Sequence, residues 1–188
     1  QAIIKLLQYV FGYVNVCIED VAFIKRGKRV VRNQLSCEGK YPVIQNSIAP
    51  LGYFDKYNCL KNTTFVIAAG AAGEVGYSYN DFWAADDCYY FDCSNFLLSR
   101  YLYFALENSS QYIVSRVRKA SIPRISKDDI NKLKIIIPTI SEQERIVSIL
   151  DKFDTLCNDL STGLPAEIEM RQKQYEYYRD KLLSFKAL

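Results

Sequence analysis

SEQERIVSILDKFDTLCNDL (Ser141–Leu160) is the stretch on which the architecture turns. Ser141 and Glu144 stand in the spacing of a capping box, and Ile146, Ile149, Phe153, Leu156 and Leu160 then recur at alternating threes and fours, the period that keeps an apolar stripe on one side of a helix. The spacing predicts a long amphipathic helix. Gly163 ends it, and Pro165 suits the first turn of a second helix, where a missing N–H leaves no intrahelical bond unmade. In that second segment Ile168, Tyr175 and Leu182 fall seven apart, with Tyr178 and Phe185 on the adjoining seam. A helix of roughly 20 residues is about 30 Å long, more than a small domain needs for cover. The exposed seams therefore want another helix, as in a coiled coil or bundle.

Upstream the pattern is different. Short apolar runs at Val21–Ile24, Tyr41–Ile44, Thr64–Ala69, Cys88–Cys93 and Leu133–Ile137 read as strands between frequent turn residues. Asn95–Glu107 has Phe96, Leu97, Tyr101, Phe104 and Ala105 at helical spacing, and Ser126 can cap a short helical turn. The expected organisation is an α/β or α+β domain with a mixed sheet over residues 1–140, followed by a two-helix arm over 141–188. Charge follows the same division: residues 1–140 hold 17 Lys and Arg against 12 Asp and Glu, whereas 141–188 hold 7 against 9. The two parts are expected to meet different partners.

Composition excludes several function classes. With 188 residues, 49% of them hydrophobic and 14% aromatic, the chain can build a core and is not a disordered segment. The apolar stretch Ala2–Phe11 is broken by Lys5 and Gln8, far short of the roughly 20 residues that cross a bilayer, so no membrane contact is expected. It lacks a basic leader and a small-residue cleavage site, and the opening Gln1 suggests a missing or altered amino terminus. The six cysteines (Cys17, Cys37, Cys59, Cys88, Cys93, Cys157) form no CxxC pair, and read as free, mostly buried thiols in a reducing cytosol rather than as disulfides or zinc ligands. There is no histidine. Ser-His and Cys-His nucleophiles and His-based metal hydrolysis are thereby removed, and no metal site is expected.

Two basic clusters point towards nucleic acid. Lys25-Arg26-Gly27-Lys28-Arg29-Val30-Val31-Arg32 holds five cations and no acid, with a glycine that can bring the backbone close to a ligand. Arg116, Arg118, Lys119, Arg124 and Lys127 form a second cluster, acid-free from Ser115 to Lys127, around a turn fixed by Pro123. Between them, Gln45, Asn46 and Ser47 are the side-chain types that bond adenine edges or phosphates. Each could equally be solvated surface, but two such clusters on one small domain favour contact with a polyanion. Gly70–Gly76 lacks the Lys-Ser/Thr of a phosphate loop and reads as a tight turn between strands. Asp86-Asp87, with Asp81 and Asp92 nearby, is the best candidate for a magnesium-dependent nuclease, although adjacent residues of a strand point apart. Tyr77, Tyr79, Phe82, Trp83, Tyr89, Tyr90 and Phe91 can stack on bases, but packing accounts for them more simply.

Taken in order, these segments resemble the specificity (S) subunits of type I restriction-modification enzymes, from about Glu19 to Phe185. IKRGKRVVRNQL (Ile24–Leu35), YPVIQNSIAPLGYFDKYN (Tyr41–Asn58), AAGAAGEVG (Ala68–Gly76), FWAADDCYYF (Phe82–Phe91) and KASIPRIS (Lys119–Ser126) are similar to a target recognition domain of that family. IPTISEQERIVSILDKFD (Ile137–Asp154) and GLPAEIEMRQKQYEYYRDKLLSF (Gly163–Phe185) are similar to its helical spacer, and this match is the strongest. The resemblance implies a non-catalytic cytoplasmic protein of a prokaryote. It would read one half of a split double-stranded DNA target from the major groove and dock methyltransferase (M) subunits, which restriction (R) subunits join. S-adenosylmethionine, ATP and magnesium would belong to those partners, and this chain would need no cofactor.

An S subunit has two recognition domains and two spacers, so one of each implies a half-subunit or a fragment; a half-subunit would form a symmetric homodimer through its arms. Residues expected at DNA are Lys25, Arg26, Lys28, Arg29, Arg32, Gln45, Asn46, Ser47, Arg116, Arg118, Lys119 and Arg124. Dimer or M-subunit contacts fall to Ile146, Ile149, Phe153, Leu156, Leu160, Ile168, Tyr175, Tyr178, Leu182 and Phe185. Residues 1–15 do not match the family and read as a packing helix or a foreign extension. The rival functions are the small nuclease and a structural coiled-coil adaptor whose basic loops are only soluble surface.

Overall fold

In Thr63–Ile67 (β5) the residues Thr64, Phe65, Val66 and Ile67 are all buried, as in a strand covered on both faces. This strand is an inner one of its sheet in the computed structural model, which describes residues 2–36, 39–158 and 163–183. Alternate residues of β5 serve two cores. Val66 packs with Leu102 and Leu106 of the helix Ser99–Asn108 (α2), and Phe65 and Ile67 pack with Ile44, Phe82 and Ala84 on the opposite side.

Three sheets are present among the described residues, where one mixed sheet was expected. The four-stranded sheet runs β2 (Ala22–Arg26), β8 (Cys88–Cys93), β5, β6 (Val75–Ser78), with every pair antiparallel. Beside it β3 (Tyr41–Ile44) pairs antiparallel with β4 (Gly52–Phe54) and parallel with β7 (Trp83–Ala84), so parallel and antiparallel pairing mix only here. The third is a ribbon of β1 (Tyr13–Cys17) and β9 (Lys134–Pro138). β4 and β7 have three residues and two, too few for an alternating pattern to register.

Near the amino terminus Ala2–Phe11 form a packing helix, α1. Ile4 and Gln8 face inward, and Gln8 Nε2 donates to the carbonyls of Ile137 (3.3 Å) and Pro138 (2.9 Å). α2 begins four residues later than its apolar spacing predicts, because Phe96 and Leu97 are buried in the core as a turn. A helix that the sequence reading lacked, α3 (Ser110–Arg116), follows directly. Ser126 caps α4 (Lys127–Asn131) as expected, accepting from Asp129 N at 3.1 Å.

The chain divides into two units, Gln1–Glu144 and Arg145–Leu188. α5 (Ile140–Asn158) starts one residue before its expected cap, so Ser141 lies inside the first turn, its Oγ 3.2 Å from Thr139 Oγ1. α6 (Leu164–Leu183) holds Pro165 in its first turn, and its exposed surface carries two i,i+4 pairs, Glu167–Arg171 and Glu169–Lys173. Ile149, Phe153, Leu156, Ile168, Tyr175 and Tyr178 are exposed and Ile146 is half-buried. Leu160 and Phe185, and the side chain of Leu182, lie outside the described residues. No helix among the described residues is long and apolar enough to cross a membrane.

Candidate nucleic-acid interface

β2 delivers the first basic cluster. Lys25 and Arg26 are successive strand residues and so point to opposite faces. The Lys25 ammonium donates to Asp92 Oδ2 at 2.6 Å, with both side chains exposed, and this bond holds the lysine above its ordinary titration range. The cluster is thus free of acid in sequence but not in space. Arg26 donates through Nε to the carbonyl of Asp86 at 2.6 Å.

Gly27 does not open the backbone to a ligand. A Cβ there would stand 2.1 Å from Ala85 O, so the glycine is needed for packing against the turn into β8. Gly27 N–H donates to Cys88 O, Lys28 N–H to Ala84 O, and the Trp83 indole to Lys28 O at 2.8 Å. This anchoring leaves the side chains of Lys28 and Arg29 exposed at the surface. Arg32 lies in a short turn of 3-10 helix, and its side chain is outside the described residues.

The second cluster is also less uniform than its sequence. Arg116 ends α3 and lies over the Tyr112 ring at 5.0 Å, so it belongs to a helix and not to the basic loop. Arg118 and Arg124 face each other across a small hairpin closed by Arg118 N–H to Arg124 O (2.8 Å) and Arg124 N–H to Arg118 O (3.2 Å). Lys119 is exposed within that hairpin. Ile125 N–H to Ala68 O and Gly70 N–H to Pro123 O fasten it to the β5–β6 turn. That turn, with Gly70 and Gly73 at positive φ, is the tight connection expected of Gly70–Gly76.

What the fold brings together is Arg26 from the first cluster and Arg118 and Arg124 from the second. They line one depression of about 240 Å³ with Asp87, Tyr89 and Ser126. Lys25 is not part of it. Among the described residues, neither Arg118 nor Arg124 has a carboxylate or side-chain hydrogen-bond partner. The amide segment sits beside the glycine turn: Ala71 N–H donates to Asn46 O, Gly70 leaves no room for a Cβ against that carbonyl, and Ser47 Oγ bonds Ala49 O. Gln45 is half-buried and Asn46 exposed. A larger hollow of about 570 Å³ lined by Ile48, Val114, Pro123, Glu74 and Glu107 contains no cation and two carboxylates, which disfavours a phosphate chain there.

Neither the acidic pair nor the aromatic and cysteine candidates form a catalytic centre among the described residues. Asp86 and Asp87 lie in the turn between β7 and β8, and among the described residues no group of three or more Cys, Asp or Glu side chains could hold a metal ion. Phe82 is fully buried against Phe65, and Trp83 packs edge-on to Phe54. Tyr77 and Tyr79 sit against the Arg100 guanidinium at 4.8 and 5.3 Å. Cys59 and Cys88 are buried, Cys17 and Cys93 half-buried and Cys157 exposed, all as free thiols, while Cys37 is outside the described residues. Burial pushes the Cys59 and Cys93 thiols up to about 12 and Cys88 also upwards, which favours the protonated thiol near neutral pH.

Comparison with known proteins is consistent along the chain. The family model described as type I restriction modification DNA specificity domain matches residues 12–170. A Haemophilus influenzae chain assigned to the type I restriction enzyme specificity subunits is 34% identical over 194 residues, covering 92% of this chain and 49% of the relative. The EcoR124I/EcoR124II specificity subunit of Escherichia coli is 48% identical over 91 residues, 47% of this chain and 22% of that one. The crystal structure of a type I restriction-modification S subunit from M. genitalium superposes with a TM-score of 0.73 at 25% identity, over 92% of this chain and 46% of that one. The chain spans about half the length, or less, of these relatives.

Proposed function

Because the chain belongs to the type I restriction-modification DNA specificity family, we propose that its first unit reads one half of a split duplex DNA target and that the chain docks methyltransferase subunits. The observation that carries this reading is the convergence of Arg26, Arg118 and Arg124, from clusters far apart in sequence, on one depression. Guanidinium groups without carboxylate partners are suited to phosphate oxygens and to guanine edges. Lys28, Arg29 and Lys119, exposed on anchored turns, extend the positive surface and add sequence-independent grip. Lys25, where its pairing with Asp92 is released, and Arg32, Gln45, Asn46, Ser47 and Arg116 complete the proposed contact set.

The chain acts in this reading as a non-catalytic subunit. S-adenosylmethionine, ATP and magnesium are bound by the M and R subunits, and this chain needs no cofactor. The apolar seam of α5 and α6 packs against a second copy or against an M subunit, and the rigid length of the arm fixes the spacing of the two half-sites in units of the DNA turn.

The test is selection from a random duplex pool by the chain mixed with its M subunit, at stated salt. A split motif is expected. An inverted repeat identifies the symmetric homodimer, one defined half identifies a mixed assembly, and no enrichment overturns the DNA reading in favour of the coiled-coil adaptor.

A further inference from the structure

Asp87 is half-buried, shares its depression with three arginines, and pairs with none of them. A carboxylate in that position weakens a pure phosphate cradle, since like charges repel across a half-buried site. The same mixture of donors and acceptor is complementary to the major-groove edge of a C·G pair, where cytosine N4 donates and guanine O6 and N7 accept. The protein holds Asp87 in place through its backbone: Ala68 N–H donates to Asp87 O at 2.7 Å, and Cys88 N–H closes the turn onto Ala85 O at 3.0 Å. Its carboxylate is left for a ligand. Arg26 is fixed by its Nε bond to Asp86 O and lines the same depression.

We propose that Asp87 is a specificity-determining residue that reads a C·G pair, accepting from cytosine N4 while Arg118 and Arg124 donate to the guanine edge. This rests on the DNA reading above and assigns one position of the target to a residue outside both basic clusters.

The test is duplex selection by the full chain with its M subunit, run on the wild type, Asp87→Ala and Asp87→Asn, followed by titration of the selected site and its single-base variants. With Asp87→Ala, discrimination at one C·G position is expected to fall by about 5- to 150-fold, with the rest of the motif retained. Asp87→Asn keeps the shape but adds an amide donor, so its preference at that position should move to a base presenting an acceptor; it also gives the answer if the alanine variant fails to fold. An unchanged motif in both variants, or an equal change in affinity for all sequences, overturns the inference and leaves the DNA reading standing. No motif from the wild type overturns the DNA reading itself and this assignment with it.

Discussion

Gln8 and Gln143, from opposite ends of the first unit, donate through Nε2 to the same carbonyl, Pro138 O, each at 2.9 Å. Both side chains are buried. Gln143 makes two further bonds, donating to Phe96 O and accepting from Leu98 N, each at 2.9 Å, so it also caps the start of α2. Replacing Gln143 by Leu orphans those two groups, whereas Pro138 O keeps Gln8. Gln143→Leu should cost about 2–5 kcal/mol, and Gln8→Leu about 1–2 kcal/mol; urea unfolding of the two variants and the double variant would measure both and their coupling.

Asp92→Asn should strengthen binding to every duplex alike. Releasing Lys25 from its ion pair adds a free cation to the surface, so the salt dependence should steepen by up to about 0.9 in log–log slope. Stability should change by no more than about 1 kcal/mol because the pair is exposed. The raised lysine keeps its contribution below the ordinary lysine range and loses it only as pH rises through the raised value. Titrations near neutrality should therefore show the DNA effect without a pH-dependent stability change from this pair.

Gly27→Ala should destabilise the fold by roughly 1–3 kcal/mol or more, since the added methyl group meets the backbone carbonyl of Ala85 and no side chain can rotate away. A shifted urea midpoint would show it. Wild-type stability in the alanine variant would mean that Gly27 serves ligand approach instead.

The buried thiols predict alkaline weakening. Cys59 titrates at about 12 in the folded chain against an ordinary 9.0, so the unfolded state gives up its proton first, and stability should fall as pH rises from 9.0 towards about 12. At neutral pH a thiol reagent should modify Cys157 rapidly and Cys59 and Cys88 only after denaturation, as peptide mapping would reveal.

If the arm dimerises as proposed, the parent chain is expected to sediment as a dimer, and Ile149→Asp combined with Phe153→Asp should abolish that self-association and give a monomer. Both positions are exposed in the isolated chain, so a loss of folding is not expected. Identical sedimentation of parent and variant would remove these two residues from the interface.

What the sequence revealed follows from periodicity. The helices of the arm and the strands Tyr41–Ile44 and Cys88–Cys93 carry a strong repeat or a bounded apolar run, and they lie where that repeat puts them. β4 and β7 exist only because β3 pairs with them, and no local pattern announces strands of three and two residues. The acid-free clusters were visible, but Asp92 and Asp87 reach them through strand pairing and turn geometry, which linear spacing does not encode. Gln143 resembles an ordinary polar helix residue; only its burial against α2 and β9 gives it a role.

The ribbon of β1 and β9 pairs Tyr13 with Pro138 and Cys17 with Lys134. The polypeptide therefore enters and leaves this body at neighbouring points. A segment whose two ends meet can be lifted out and replaced by another of different interior, leaving the flanking chain unstretched. Under the proposed DNA reading, recombination at the two ribbon strands is expected to exchange one specificity for another in a single step, the body serving as an interchangeable cartridge.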